Sequence, residues 1–116
     1  MRAVVSKKNR NWMPKHRYYE LKHFCLQYHD WIRQYNDVSI KGGMDPTGDE
    51  AIRLAKLRER IDAIDQSIDI CPKELRYAIK EHVTRGRPYE SLEVFCCRTA
   101  FYAICREFYG YLDKIW

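Results

Sequence analysis

Apolar residues recur at steps of three and four along most of this sequence, and that spacing restricts what the chain can fold into. The pattern is clearest over Tyr18–Tyr35, Ala51–Ile68 and Phe101–Ile115. Such steps place side chains on one face of an α-helix, whereas a strand needs alternation, which no stretch of useful length shows. We predict an all-α fold of about five helices, in which a helical hairpin precedes a C-terminal helix-turn-helix unit.

The first predicted helix covers residues 15–35 and opens after Pro14. Its apolar stripe is formed by Tyr18, Leu21, Cys25, Tyr28, Ile32 and Tyr35, widened by Phe24 and Trp31. The polar tips of tyrosine and tryptophan need water or a hydrogen-bond partner, so this face suits a core with wet edges and an interface equally well. Residues 36–43, which include a glycine pair, are predicted to be a linker.

The second predicted helix covers residues 47–69 and starts with a capping box of Thr47 and Glu50. Its cations and carboxylates outside the apolar stripe are typical of a solvated face with ion pairs one turn apart. Residues 14–70 therefore form either a helical hairpin or a dimerisation part in which two copies make a short coiled coil. The spacing allows both.

Residues 72–116 form the predicted helix-turn-helix part. A third helix begins after Cys71-Pro72 and is ended by Gly86. A short helix from Pro88 to Val94 and a tight turn then lead into a longer helix from Arg98 onward. His82, on the apolar stripe of the third helix, is expected to be a satisfied core histidine.

Charge is distributed unevenly along the chain, which has a net charge of +5. Residues 1–17 carry six basic residues and no acid, the middle of the chain is acidic, and residues 72–116 are again basic. We predict a flexible basic arm over residues 1–13, followed by a single helical domain over residues 14–116. A basic arm favours a polyanionic partner. No apolar run is long enough for a membrane span, so no membrane partner is expected.

The five cysteines, at positions 25, 71, 96, 97 and 105, are odd in number and include no CxxC pair. This usage favours reduced thiols in a cytoplasm and argues against a metal site. The sequence also lacks a P-loop and any local signature of a nucleophile with its base. We therefore expect no catalytic residue, no metal and no cofactor.

The residues that best fit a binding role surround the start of the last helix. In a helix-turn-helix, the N-terminal residues of the second helix enter the major groove of DNA. The side chains expected at these exposed positions are Cys97, Arg98, Thr99 and Tyr102. Arginine reads guanine with two hydrogen bonds, and threonine contacts thymine or donates a hydrogen bond. Arg85, Arg87 and Arg106 are placed for phosphates.

The segments Cys96–Tyr102, Arg106–Phe108 and Leu112–Lys114 also carry a family resemblance. They resemble the C-terminal signature of the ArpU/RinA-like phage transcriptional regulators, whose end looks like the helix-turn-helix of sigma-factor region 4. With the similar upstream spacing, the resemblance covers residues 45–116. It implies a transcriptional regulator of phage or prophage origin that acts on double-stranded DNA. The chain departs from the pattern at Phe95, where a proline is usual, and at Ala100, Ala103 and Ile104, where lysine or arginine is common.

These observations predict a cytoplasmic DNA-binding regulator that reads the major groove with its last helix. The first two helices are expected to form a homodimer or to contact RNA polymerase. The rival prediction is a small phage protein that binds and inhibits a host protein, such as a defence nuclease, without binding DNA. A steep salt dependence separates the first from the second, because only phosphate binding releases many counterions.

Overall fold

The structure of the chain is a computed structural model that describes residues 12–42 and 48–116, with the backbone alone at residues 41 and 42. Five α-helices follow one another: α1 Lys15–Cys25, α2 Tyr28–Gly42, α3 Asp49–Asp69, α4 Arg76–Arg85 and α5 Arg98–Ile115. Two 3₁₀ turns, Lys73–Leu75 and Tyr89–Ser91, precede α4 and α5. No strand occurs in the described ranges, and the predicted all-α fold of about five helices is confirmed. Most of the predicted basic arm, residues 1–11, lies outside the described part.

The first predicted helix is in fact two helices, with a break at Leu26 and Gln27. The backbone N–H of Gln27 donates to Phe24 at 3.2 Å, three residues back, so the last turn of α1 is tightened. The side-chain amide of Gln27 then donates to the carbonyl of His23 at 3.2 Å. The apolar stripe survives the break, since Cys25 and Tyr28 on either side of it are both buried.

The α2 and α3 helices form an antiparallel hairpin, in which α2 alone takes the place of the predicted helix over residues 15–35. The hydroxyl of Tyr28 donates to Asp65 at 2.7 Å near one end of the pair. Further along, the guanidinium of Arg58 lies 5.9 Å from the ring centre of Tyr35. The prediction of a linker over residues 36–43 is wrong for most of its length, because α2 continues to Gly42 and Val38 is buried in the hairpin. The predicted cap residue Thr47 lies outside the described residues, and α3 begins at Asp49.

The α4 helix has the predicted end at Gly86. Gly86 adopts the left-handed conformation, with φ of 71°, and its N–H donates to His82 at 3.1 Å. The N–H of Arg87 donates to the carbonyl of Glu81 at 3.4 Å, so two carbonyls of the last turns of the helix accept hydrogen bonds from the residues that follow it. At the other end of α4, Arg76 caps α3, with its Nη2 donating to the carbonyl of Asp69 at 2.8 Å.

Gly86→Ala is expected to lower the free energy of unfolding by roughly 1–2 kcal/mol, because a Cβ disfavours this backbone conformation. A Cβ at this position would meet only Leu26 Cδ2, at 3.7 Å, so no clash contributes. Urea denaturation followed by circular dichroism measures the loss. Gly86→Asn is the matched control: asparagine tolerates the left-handed region and should lose less. Equal losses for the two variants would show that backbone conformation is not the cause.

The α5 helix is the centre of the fold. It packs against α1 and α3, and near its start Phe101 lies against His82 of α4, with ring centres 5.4 Å apart. Its fully buried side chains follow the steps of four and three that the sequence shows over this range, and they are Phe101, Cys105, Phe108 and Leu112. Near the end of the helix, the ring of Trp116 lies 4.7 Å from that of Phe24, centre to centre. All sides of the middle of α5 are therefore at least partly covered.

Candidate nucleic-acid interface

The connection between α4 and α5 differs from the predicted helix-turn-helix. The short helix expected from Pro88 to Val94 is a single 3₁₀ turn, Tyr89–Ser91, and the backbone is extended at Leu92 and Cys97. A helix of one or two turns is unfavourable, because it fixes the backbone of several residues and forms few hydrogen bonds in return. The alternative arrangement buries Leu92 and lets the Tyr89 hydroxyl donate to the carbonyl of Cys96 at 2.7 Å. Residues 86–97 therefore replace the short helix and tight turn.

The start of α5 presents three of the predicted contact residues to solvent. Cys97 precedes the first turn, Arg98 and Thr99 open it, and all three are exposed. The guanidinium of Arg98 contacts Glu90 at 2.5 Å and lies 5.4 Å from the ring centre of Tyr102. A cation is unfavourable at the positive end of a helix dipole, and the carboxylate of Glu90 offsets this. The arginine is thereby held beside the helix start.

Tyr102 is not a surface residue, and this part of the predicted site is wrong. It is only 9% exposed and lies among His82, Tyr89 and Phe101, with ring centres 5.7 to 6.5 Å away. Tyr109, one heptad further along, is also buried, against Tyr18 of α1. Neighbouring helices therefore cover the aromatic side of α5, which is not available to a DNA groove. Burial raises the pKa of Tyr109 well above its usual value.

Arg85 and Arg87 share one carboxylate at the end of α4. Glu81 accepts from Arg85 at 3.0 Å and from Arg87 at 3.2 Å, and its own side chain is mostly covered. Arg87 also donates to the carbonyl of Ser91 at 2.7 Å. These contacts link the end of α4 to the 3₁₀ turn, one residue from the Glu90 that holds Arg98. The structure thus brings Arg85, Arg87 and Arg98 to the same end of the protein.

Arg106 does not join this group. It lies eight residues after Arg98, about 12 Å further along the helix axis, and is half-buried. The group depends instead on two acidic residues, Glu81 and Glu90, that were not predicted. The four-residue step from Glu81 to Arg85 is visible in the sequence, whereas the contacts of Arg87 and Arg98 depend on the path of the loop.

His82 is hydrogen-bonded as predicted, but it is half-buried and lies at the edge of the core. Its Nδ1 lies 2.7 Å from the carbonyl of Arg87 and therefore carries the proton in that contact. The ring packs edge-on against Phe101 and Tyr102. Burial lowers the pKa of His82, although the hydrogen bond to Arg87 opposes this. His82 supports the loop from inside and leaves the arginines on the outside.

The cysteines are all free thiols, and their environments differ. Cys25, Cys71 and Cys105 are buried, Cys96 is half-buried and Cys97 is exposed. Among the described residues, no group of three histidine, cysteine, aspartate or glutamate side chains is arranged to hold a metal ion. His29, one turn after Cys25, contacts the Thr84 hydroxyl of α4 at 3.1 Å. Over the described ranges, no helix is long and apolar enough to cross a membrane.

Comparisons with known protein families, with curated proteins and with solved structures found no match to this chain.

Proposed function

We propose that this protein is a DNA-binding transcriptional regulator that meets the duplex with the end formed by α4, residues 86–97 and the start of α5. The observation that supports it is the linked group of Arg85, Arg87 and Arg98, each held by a carboxylate and each still partly open to solvent. A guanidinium has five N–H donors, so one that contacts a carboxylate keeps donors for a phosphate or a base.

The roles within this surface follow from exposure. Arg98 and Thr99, at the exposed start of α5, are the residues proposed to reach base edges, and Arg85 and Arg87 to contact phosphates. Cys97 lies at the edge of the proposed DNA-binding surface, and Arg106 contacts DNA only at its periphery. The ring of Tyr102 packs under the guanidinium of Arg98. The helix therefore approaches DNA with its tip. A phage or prophage origin belongs to the same proposal and rests on the family resemblance. A homodimer or a contact with RNA polymerase, made by the helices of residues 14–70, also belongs to it, and the homodimer rests on their apolar spacing.

Arg98→Gln tests this proposal. We expect it to weaken specific DNA binding by roughly 1–3 kcal/mol and to relax the base preference, because one base-reading arginine is lost. The measurement is a gel shift with fragments of the source genome at two salt concentrations. Arg33→Gln is the control, since Arg33 is an exposed arginine that pairs with Asp30 on α2. If wild-type protein shifts no fragment at low salt, the proposal is wrong.

A second candidate function is favoured by Phe95, whose side chain is fully exposed at 104% relative accessibility. A lone phenylalanine on an ordered loop resembles the aromatic anchors that dominate protein interfaces. In this alternative the protein binds a host protein through residues 92–97 without binding DNA. Such an interface should depend little on salt, whereas phosphate binding weakens steeply as salt rises.

A further inference from the structure

One face of α3 is exposed and basic in the first half of the helix and buried in the second half. Its members follow steps of four and three: Asp49, Arg53, Lys56, Arg60, Ala63 and Ser67. Ala63 and Ser67 are 6% and 0% exposed, so this face is packed against the body in the second half of the helix. In the first half the same face is open, and Arg53 and Lys56 are exposed. The cations therefore occupy a face that the body leaves uncovered.

A groove of about 370 Å³ runs beside these cations, where α3 meets α2. Its polar lining consists of Arg53, Lys56 and Arg60 from α3, Gln34 from α2, and the acidic residue Asp49. We call it the basic groove. Guanidinium, ammonium and amide groups all donate hydrogen bonds to phosphate oxygens, and three of the four donor side chains are cationic.

Two cations of the basic groove, like Arg76 and Arg106, lack the carboxylate partner that most arginines of the described residues have. Arg33, Arg58, Arg85, Arg87 and Arg98 each contact a carboxylate. Arg53 and Lys56 contact no carboxylate among the described residues, and Arg60 lies over the ring of Trp31, 5.5 Å from its centre. Arg53 and Lys56 are therefore held by no direct ion pair within the described ranges, although Asp49 lines the groove and Glu50 and Glu59 lie one turn away on α3.

The spacing of the three cations suits a nucleic-acid backbone. Arg53 to Arg60 spans about 10 Å along the axis of α3. Duplex DNA carries about one negative charge per 1.7 Å of its axis, so a site of this length faces several phosphates.

We propose that the basic groove is a second DNA-binding surface, which holds the phosphate backbone through Arg53, Lys56 and Arg60. This inference rests on the proposed function, because it takes duplex DNA as the ligand. It assigns non-specific affinity to the α2–α3 hairpin and leaves sequence reading to the start of α5.

The test compares two variants that lose the same charge. R53Q/K56Q/R60Q removes the basic groove cations, and K15Q/K73Q/K114Q removes three exposed lysines elsewhere. Binding to one duplex is measured over a range of salt concentrations. Each phosphate contact contributes about 0.9 to the slope of log K against log salt, so the groove variant should lose roughly 2–3 from that slope. We expect its affinity at low salt to fall at least tenfold, and that of the lysine variant much less.

The outcomes separate the two proposals. If the groove variant and the lysine variant lose equally, the basic groove is not a DNA site, while an effect of Arg98→Gln would still support the proposed function. If the groove variant alone loses affinity and Arg98→Gln changes nothing, the basic groove stands and the placement of α5 fails. If wild-type protein binds no duplex or binds only an acidic protein, both are overturned. R53Q/K56Q, which keeps the Arg60 contact with Trp31, guards against a folding defect and should show about two-thirds of the slope change.

Discussion

Phe108→Ala is expected to lower the free energy of unfolding by about 3–5 kcal/mol, as is usual for a fully buried phenylalanine. Phe108 has no exposed surface and lies in the part of α5 that α1 and α3 cover. Truncation removes apolar contacts and leaves a cavity that these helices close only partly. Domains of this size are stable by roughly 5–15 kcal/mol, so the variant would lose a large fraction of its stability. Urea denaturation followed by circular dichroism measures the loss.

Phe95→Ala is the matched control for that loss, since it removes the same side chain from a fully exposed position. Its cost should stay within about 0.5 kcal/mol, as for most surface substitutions. A loss close to that of Phe108→Ala would contradict the exposed position of Phe95. The Phe95→Ala protein also reports on the second candidate function, since a stable variant that no longer binds its partner would identify the anchor.

Alkaline unfolding is the second large effect that we expect. Burial raises the pKa of the Cys71 thiol to about 11, and those of the Cys105 thiol and the Tyr18 hydroxyl to about 12. The pKa values of Cys25, Tyr28 and Tyr109 are raised as well, again chiefly by burial. The folded chain therefore keeps protons that the unfolded chain releases from about pH 9 upward. This contribution to stability is fully present below pH 9 and is lost as the pH rises through the folded values.

The size of the effect follows from the number of protons. Each proton that only the folded state retains lowers the free energy of unfolding by about 1.4 kcal/mol per pH unit. With the three buried thiols alone the fall is roughly 4 kcal/mol per pH unit up to the folded-state pKa of Cys71 at about 11, which is comparable to the whole stability of a small domain. We expect cooperative loss of helix between about pH 10 and 12, with tyrosinate absorbance rising in the same step.

Two tyrosine variants sharpen that titration. Tyr77 is 72% exposed, so Tyr77→Phe should leave both midpoint and steepness unchanged. Tyr109→Phe removes a buried hydroxyl, and its transition should be shallower because one fewer proton is released on unfolding. Ionisation of all nine tyrosines near the ordinary value, with the helices intact, would contradict the burial of these groups.

Local sequence signals explain the elements that were predicted well. Helical spacing, Pro72 and Gly86 suffice for α3, α4 and the start of α5, because these signals act within a few residues. The break at Leu26 and Gln27 leaves the apolar stripe in phase, so periodicity does not reveal it. The loop over residues 86–97 follows from tertiary contacts such as that of Tyr89 with Cys96, which a local helix signal at Pro88 does not contain.

In the candidate site, too, some features follow from local sequence signals and others depend on tertiary packing. The exposure of Cys97, Arg98 and Thr99 follows from their position at the start of a helix, and it is confirmed. The burial of Tyr102 is not evident from spacing, because it depends on how many neighbours surround α5. One sequence pattern does indicate that α5 is covered on all sides: between Arg98 and Asp113 only Arg106 and Glu107 are charged, which is too few for a solvated face. The resemblance to the ArpU/RinA-like regulators stays a prediction.

The central position of α5 also has a consequence for synthesis on the ribosome. Arg17 of α1 contacts Asp113 of α5 at 2.7 Å, although 96 positions separate them in the chain. The helices α1 and α3 therefore leave the exit tunnel well before the helix that covers their apolar sides. At roughly 5–20 residues per second, those surfaces stay open to chaperones or to premature self-association for several seconds. Slower translation between the codons for α4 and α5 would lengthen that interval and lower the yield of folded protein.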